Sequence, residues 1–557
     1  MSKMGHVDPR ITKAASRSIS PMAVVSRTRT RPVAPADPVE SAMALEALDP
    51  SDERMRVAKT KQSLGHSIGL VPIGGIEPAV GTDLPLAVED YALIGDCTTA
   101  ALVGRNGSID WLCWPRFDSS ACFAALLGTS EHGRWRICPV DPDARVSRAY
   151  RDDTMVLETV FETADGSVAV IDFMPMGQAN SSVIRLVQGR RGNVAMRLHL
   201  TLRFDYGATV PWVTQLEDKS GLTATAGPSR VVFRAPLPLR GENLATVAEF
   251  NIVQGECVPF VLTHVPSHLQ APWALDWRAA LQQTEAFWRG WSARCTYTGP
   301  WREAVLRSLL TLKAMTYAPT GGIVAAPTTS LPEQLGGQRN WDYRYCWLRD
   351  ATGTLLALMS AGYLEEARAW RAWLQRSVAG TPDQIQIVYG LSGERQLLEW
   401  QVPWLPGYRG AAPVRVGNAA SDQLQLDVFG ELIDALYQAR KHFLAPVASA
   451  WAQQQTLIRH LEDIWELPDN GVWEVRGGRR QFTFSKVMAW VALDRLVRDA
   501  ERFKLEAPLE RWRQVRDRIH DAICKCGFDR RRNTFTQSFG SGELDASLLL
   551  MRLLAAR

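Results

Sequence analysis

With 557 residues the chain exceeds one ordinary domain, so two large domains, or one very large domain with an attachment, are expected, and neither needs disulfides or metals to bury a core. The formal net charge of +4 is concentrated at the start, where seven Lys/Arg and one acid lie between Met1 and Arg31; the remainder is slightly acidic, which argues against a nucleic-acid partner. No apolar run approaches the ~18 residues of a membrane span, and the nine cysteines are scattered singly apart from Cys524 and Cys526, so reduced thiols in a cytoplasmic protein are expected rather than a zinc site or a disulfide framework.

Residues 1–86 are rich in Ser, Pro, Ala and Arg without a sustained period and read as a disordered N-terminal extension. They lack the apolar core of a secretory signal. Their Arg/Ser-rich, acid-poor composition also suits a transit peptide, but a disordered tail or an early start, with Met22, Met43 and Met55 as alternatives, accounts for it more simply. From Tyr91 short apolar runs alternate with turn residues, beginning with Arg105-Asn106-Gly107, and Asn-Gly is a strong hairpin signal. Thr154 to Phe161 and Val168 to Phe173 flank Ala164-Asp165-Gly166, while Val183 to Gln188 and Val194 to Phe204 flank Gly189 to Asn193; each pair reads as a hairpin. Strands at this spacing, with no helix between them, predict an antiparallel β-sandwich over 87–270.

Between Trp273 and Ala293 the spacing becomes helical and predicts a linker helix within 271–298. The stretch 299–557 reads as a helical domain, with helices at roughly 301–316, 350–361, 363–378, 420–443, 446–465, 484–502, 506–526 and 543–556. Its long loops, 318–349, 380–419 and 466–483, hold nearly all of its Trp, Gly, Pro and polar clusters, so the site is expected on them. The stretch Asn340 to Asp350, N-W-D-Y-R-Y-C-W-L-R-D, is too polar for a core and too aromatic for a solvated loop. It suits a sugar, whose apolar face stacks on aromatic rings while carboxylate and guanidinium groups bind its hydroxyls. Equally, Asp350 could cap the helix that follows, with Arg349 paired to a nearby acid.

In sequence and order these motifs resemble glycoside hydrolase family 15, the glucoamylase, glucodextranase and trehalase-like enzymes, and specifically its bacterial two-domain members. The resemblance runs from about Pro85 to the last residue. It passes through Y-A-L-I-G-D with N-G-S-I-D-W-L-C-W-P-R-F-D, then N-W-D-Y-R-Y-C-W-L-R-D-A, then P-W-L-P-G-Y with V-R-V-G-N-A-A-S-D-Q-L-Q-L-D. G-V-W-E-V-R-G-G with F-T-F-S-K and finally L-D-A-S-L-L-L complete it. It implies an N-terminal β-sandwich joined by a linker helix to an (α/α)6 barrel. It further implies that Arg349 and Asp350 hold hydroxyls of a terminal glucose, that Tyr343 and Trp347 lie beside that sugar, and that Arg415, Asn418 and Gln423 add contacts from the second loop. Glu474 falls on the general acid, with Trp473 beside it as a substrate contact. On the residues alone, Asn418 and Gln423 are equally well a helix cap and a helix-face amide, and a Glu in W-E-V-R is commonly half of a surface ion pair.

Trp473 and Val475 are expected to shield Glu474 from water, since desolvation raises a carboxylic acid's pKa and keeps its proton for donation. A cation at Arg476 would oppose this, so its guanidinium is expected to turn toward substrate or another acid. An inverting glycosidase also needs a second carboxylate ~6.5–9.5 Å from the acid. In the family that base lies in a Glu-Glu segment late in the barrel, which this chain ends before reaching. The barrel is therefore expected to be incomplete, with its C-terminal helices and the general base missing and activity impaired. Glu365-Glu366 reads as a solvated helix face, and nothing marks Asp427 or Glu431, one turn apart, as the base. The expected function is exo-hydrolysis of a terminal α-linked glucose from glucans, oligosaccharides or trehalose, with inversion. A non-catalytic sugar-binding remnant and an inverting disaccharide phosphorylase are the alternatives. No cofactor and no metal are implied, no membrane or nucleic-acid partner is expected, and oligomeric state is open.

Overall fold

The structure, a computed structural model, describes residues 84–441 and 448–556. Residues 1–83 of the expected extension lie outside them, as do residues 446 and 447 of the helix expected at 446–465. Fifteen antiparallel strands come first. In chain order they are β1 Tyr91–Gly95, β2 Ala100–Gly104, β3 Ser108–Cys113, β4 Ala121–Phe123, β5 Arg134–Pro139, β6 Arg145–Tyr150, β7 Leu157–Glu162 and β8 Gly166–Phe173. They continue with β9 Ser182–Thr201, β10 Trp212–Gln215, β11 Gly221–Ala226, β12 Ser229–Arg234, β13 Arg240–Glu242, β14 Ala245–Val253 and β15 Cys257–Pro266. Asn106-Gly107 turns β2 into β3, and Ala164-Asp165 with Gly166 turns β7 into β8, as the turn chemistry predicts.

The hairpin expected around Gly189 to Asn193 does not form. β9 runs through it as one strand of 20 residues. Its first half pairs with β8 and β15 and its second half with β5 and β14, so the glycine-bearing stretch is a bend carrying the strand from one layer to the other. Backbones crowd there: a Cβ on Gly189 would lie 2.1 Å from Val253 O, and one on Gly192, at φ +66°, 2.0 Å from Asp165 O. Alternate residues of the two layers meet in one apolar core, where Trp135 of β5 packs edge-on against Phe233 of β12 at 5.5 Å. Within it Arg185 of β9, fully buried, pairs with Asp172 at 2.7 Å and donates to the carbonyls of Trp135 and Gly107 at 2.7 and 2.9 Å.

The helical half contains α1 Trp277–Ser292, α2 Arg302–Ala314, α3 Leu348–Ser360, α4 Leu364–Ser377, α5 Asp427–Lys441, α6 Ala448–Ile464, α7 Thr483–Phe503, α8 Leu509–Cys526 and α9 Leu550–Ala556. α5 packs between α3 and α7, and α7 also packs on α8. Two expected helices start late. Asn418 caps a single 3-10 turn, Ala419–Asp422, and the chain then stays extended to Leu426, whose N–H donates to Asp469, so α5 begins only at Asp427. Asp545 likewise caps a 3-10 turn, Ala546–Leu549, ahead of α9. Such short polar side chains offer the backbone a local partner that competes with helix. The Glu365-Glu366 pair splits: Glu365 is exposed, but Glu366 is buried, accepting from Trp291 Nε1 at 2.7 Å and paired with Lys313 at 3.0 Å, and so ties α1 and α2 to α4. All nine cysteines are free thiols, and among the described residues no helix is long and apolar enough to cross a membrane.

The sheet domain meets the N-W-D-Y-R-Y-C-W-L-R-D stretch through Arg344. Fully buried, it grips Asp342 in a fork at 2.9 and 2.7 Å, and it donates to Ser119 O at 2.7 Å and to the Tyr206 hydroxyl at 2.8 Å. Asp342 also accepts from Gly417 N at 3.1 Å, which brings in the second loop. Breaking a buried pair on one side leaves an uncompensated charge, so Arg344→Met should cost about 3–5 kcal/mol in denaturant unfolding; a loss below about 1 kcal/mol would show that the pair does not hold the junction.

Candidate active site

The first turn of α3 carries Arg349 and Asp350. Its entry is fixed because Cys346 and Trp347 pair antiparallel with Tyr389 and Val388, and Leu348 N bonds Ile387 O at 3.0 Å. Tyr343 and Trp347 present their rings to each other at 5.3 Å, tilted by 45°. Facing them is the loop between α6 and α7. Asp469 and Arg480 exchange two backbone hydrogen bonds of 2.9 Å, closing the loop at its base, and Glu474 N returns to Gly471 O at 3.0 Å near its tip.

Glu474 adopts φ +54°, a left-handed conformation uncommon outside glycine and kept only where contacts over-determine it. Those contacts are present. Gln423 Nε2 donates to Glu474 O at 3.2 Å, and Arg349 donates to Val472 O at 2.8 Å. At the carboxyl group, Oε1 accepts from Trp347 Nε1 at 2.7 Å and from Arg349 at 3.1 Å. Asp350, about half exposed, lies 3.4 Å from the same guanidinium.

Burial is the largest influence on Glu474 and raises its pKa; the Arg349 charge and the hydrogen bonds from Arg349 and Trp347 oppose it, and Asp350 adds to the rise. Burial also pushes the Tyr343 hydroxyl up to about 12, helped by Glu474. For Arg349 burial works against the charge, but Asp350, Glu474 and Asp427 outweigh it and keep the guanidinium charged.

The remaining candidates face elsewhere. Trp473 is 59 % exposed and its indole is turned to Asp545, both contacts at 3.0 Å, so the cover over Glu474 comes from Trp347. Arg476 has found another acid: it pairs with Glu399 at 3.0 Å and lies 4.3 Å over the Trp341 ring. Arg415 lies over the same ring at 4.4 Å and donates to the carbonyls of Gln338 and Asn340. Asn418 uses both ends of its side chain internally, on Ala420 N and Asp342 O. The structure thus gathers Tyr343, Trp347, Arg349, Asp350, Gln423 and Glu474, and sets Arg415, Asn418 and Trp473 to work on neighbouring loops.

Two further carboxylates, named in the sequence but not marked there as the base, also lie here. Asp427, fully buried, and Glu431, half-buried one turn later on α5, both sense Arg349. Burial first, then their neighbours' negative charge, pushes them up to about 7 and about 8. Their spacing of four on one helix face was the available signal; their burial was not.

The group as a whole offers a desolvated carboxylic acid beside an aromatic pair and a guanidinium–carboxylate pair, which suits proton donation to an oxygen of a bound sugar. Residues 299–557 match the family described as Glycosyl hydrolases family 15, and residues 80–241 match one described as Trehalase-like, N-terminal. The trehalase of Thermoplasma volcanium is 32% identical over 474 residues, covering 84% of this chain and 75% of that protein. The chain belongs to glycosyl hydrolase family 15. The trehalase of Mycobacterium tuberculosis is 35% identical over 499 residues, covering 84% of this chain and 72% of its own length. A bacterial glucoamylase solved with acarbose shares the fold, with a TM-score of 0.59 at 13% identity over 84% of this chain and 72% of that one. This family 15 chain is a glycosidase.

Trp347→Phe removes a donor that favours the ionised form of Glu474, so the midpoint of that carboxyl group should move to higher pH. Carboxyl 13C NMR, with the Glu474→Gln spectrum identifying the signal, measures it; an unmoved or lowered midpoint would contradict the geometry.

Proposed function

We propose that this family 15 glycosidase hydrolyses the α-linkage of a terminal glucose with inversion, and that trehalose is its substrate. The carrying observation is Glu474, held at 2.7 Å by Trp347 and at 3.1 Å by Arg349 and kept short of water, where a carboxylic acid retains its proton for a leaving oxygen. Arg349 and Asp350 bind hydroxyls of the terminal glucose with charge-assisted bonds, and Tyr343 and Trp347 give it an aromatic wall. Gln423 supports the acid through its backbone carbonyl. Arg415, Asn418 and Trp473, turned to neighbouring loops, carry no part of this reading. The choice of trehalose over longer glucans is supported by the relatives named trehalase in two organisms.

The helices over 299–557 are read as part of an (α/α)6 barrel, with the sandwich over 87–270 and a linker over 271–298, an order supported by the likeness to the glucoamylase fold. Inversion requires an ionised carboxylate to activate water. Asp427 and Glu431 lie near Arg349, but nothing in their placement marks either as that base, and it is not assigned to them. The nine free thiols fit a reducing compartment such as the cytoplasm.

Trehalose joins two α-glucosyl units, so inversion should yield α- and β-glucose in equal first amounts, read by 1H NMR before mutarotation. Formation of α-glucose alone would mean retention. Glu474→Gln should lower kcat/KM on trehalose by about 10²–10⁴-fold; an unchanged rate would remove Glu474 from the acid role.

A further inference from the structure

The F-T-F-S-K motif ends on Lys486, in the first turn of α7, where no acid accompanies it. A cation there is opposed by the partial positive charge of that helix end. Its side chain is also fully buried, and an ammonium out of water costs several kcal/mol unless it is fully bonded. The position makes sense only from the opposite side. Lys486 Nζ donates to Trp465 O and to Leu467 O, both at 2.6 Å, which are the open carbonyls just past the end of α6. Burial pulls this lysine down to about 8, while Asp469 and Glu466 favour its charge.

These carbonyls are the root of the acid-bearing loop. Two residues beyond Leu467, the fully buried Asp469 accepts from Leu426 N at 3.0 Å and exchanges both backbone bonds with Arg480. Asn470 N then bonds Leu424 O at 2.9 Å, and four residues later comes Glu474. The loop is therefore held at its tip by Arg349 and Gln423, which stand in the sugar pocket, and at its root by Lys486, which does not.

We propose that Lys486 is a positioning residue for proton delivery: it pins the carbonyls of Trp465 and Leu467 and faces Asp469, so that the loop presents Glu474 to the glycosidic oxygen. This rests on the reading of Glu474 as the general acid. The glucose contacts on α3 belong to a different element, so loosening the root displaces the acid and leaves sugar binding in place.

The test compares trehalose, whose leaving sugar needs a proton, with α-glucosyl fluoride, whose fluoride leaves without one. Lys486→Met should lower kcat on trehalose by about 10²-fold, the scale of a misplacement near 1 Å, with KM within about twofold. On α-glucosyl fluoride it should stay within about threefold of the parent. Equal losses on both substrates, or no loss on either, would overturn the proposal. Glu474→Gln run in parallel keeps the two readings apart: if it loses equally on both substrates the acid assignment fails, whereas selectivity in Glu474→Gln but not in Lys486→Met sinks Lys486 alone. Should Lys486→Met not fold by circular dichroism, Asp469→Asn decides, with the same selective loss expected at about tenfold. A second readout is independent of turnover. The Trp347 indole N–H resonance, assigned through Trp347→Phe, should shift in Lys486→Met as its bond to Glu474 changes; an unmoved resonance counts against the proposal.

Discussion

The pair formed by Asp342 and Arg344 is the constraint on which the site depends. Neither side chain reaches water, and between them they hold the sheet domain at Ser119 and Tyr206 and the second loop at Gly417. Asn340–Asp342 form a short strand, in which alternate side chains take opposite sides. Asn340, Asp342 and Arg344 turn inward and are fully buried, while Trp341 and Tyr343 remain partly accessible. A stretch that looks uniformly suited to sugar thus divides its labour: Asp342 and Arg344 fasten the domains together, Trp341 carries the Arg415 and Arg476 guanidinium groups over its ring, and Tyr343 faces Trp347.

The order of a large antiparallel sheet domain followed by a helical domain was legible because periodicity and turn chemistry are local. What failed was also local in appearance. G-R-R-G-N around residue 191 has the composition of a turn, and the same glycines serve a strand passing close to other backbones; only the partners on either side, Asp165 and Val253, tell the two apart. The late starts of α5 and α9 have a related origin, since Asn418 and Asp545 bond the backbone just ahead of them. Glu366 was misjudged because its neighbours Trp291 and Lys313 lie on other helices.

At the site, the directions of neighbouring side chains were only partly readable. Glu474, Trp473 and Arg476 are adjacent in sequence and point to three different partners, Trp347, Asp545 and Glu399. Of these, only the turn of Arg476 toward another acid was expected. The expected threat to the acid's proton, Arg476, is neutralised 3.0 Å away by Glu399, and the cation that does touch Glu474 is Arg349, from the motif itself. Burial nonetheless prevails over that guanidinium. Arg349 pairs with both Asp350 and Glu474, so a change in what else its guanidinium binds alters the charge that Glu474 senses.

β9 has a mechanical meaning beyond its pairing. It is shared by both layers, seven residues bonded to one neighbour on one side and eight to another further along, with the bend in the middle. A strand held in common works as a spine: neither layer can peel away without stripping hydrogen bonds from the same piece of chain. The sheet domain should therefore open as a single cooperative unit, and the surface that meets Arg344 remains rigid for as long as that spine is intact.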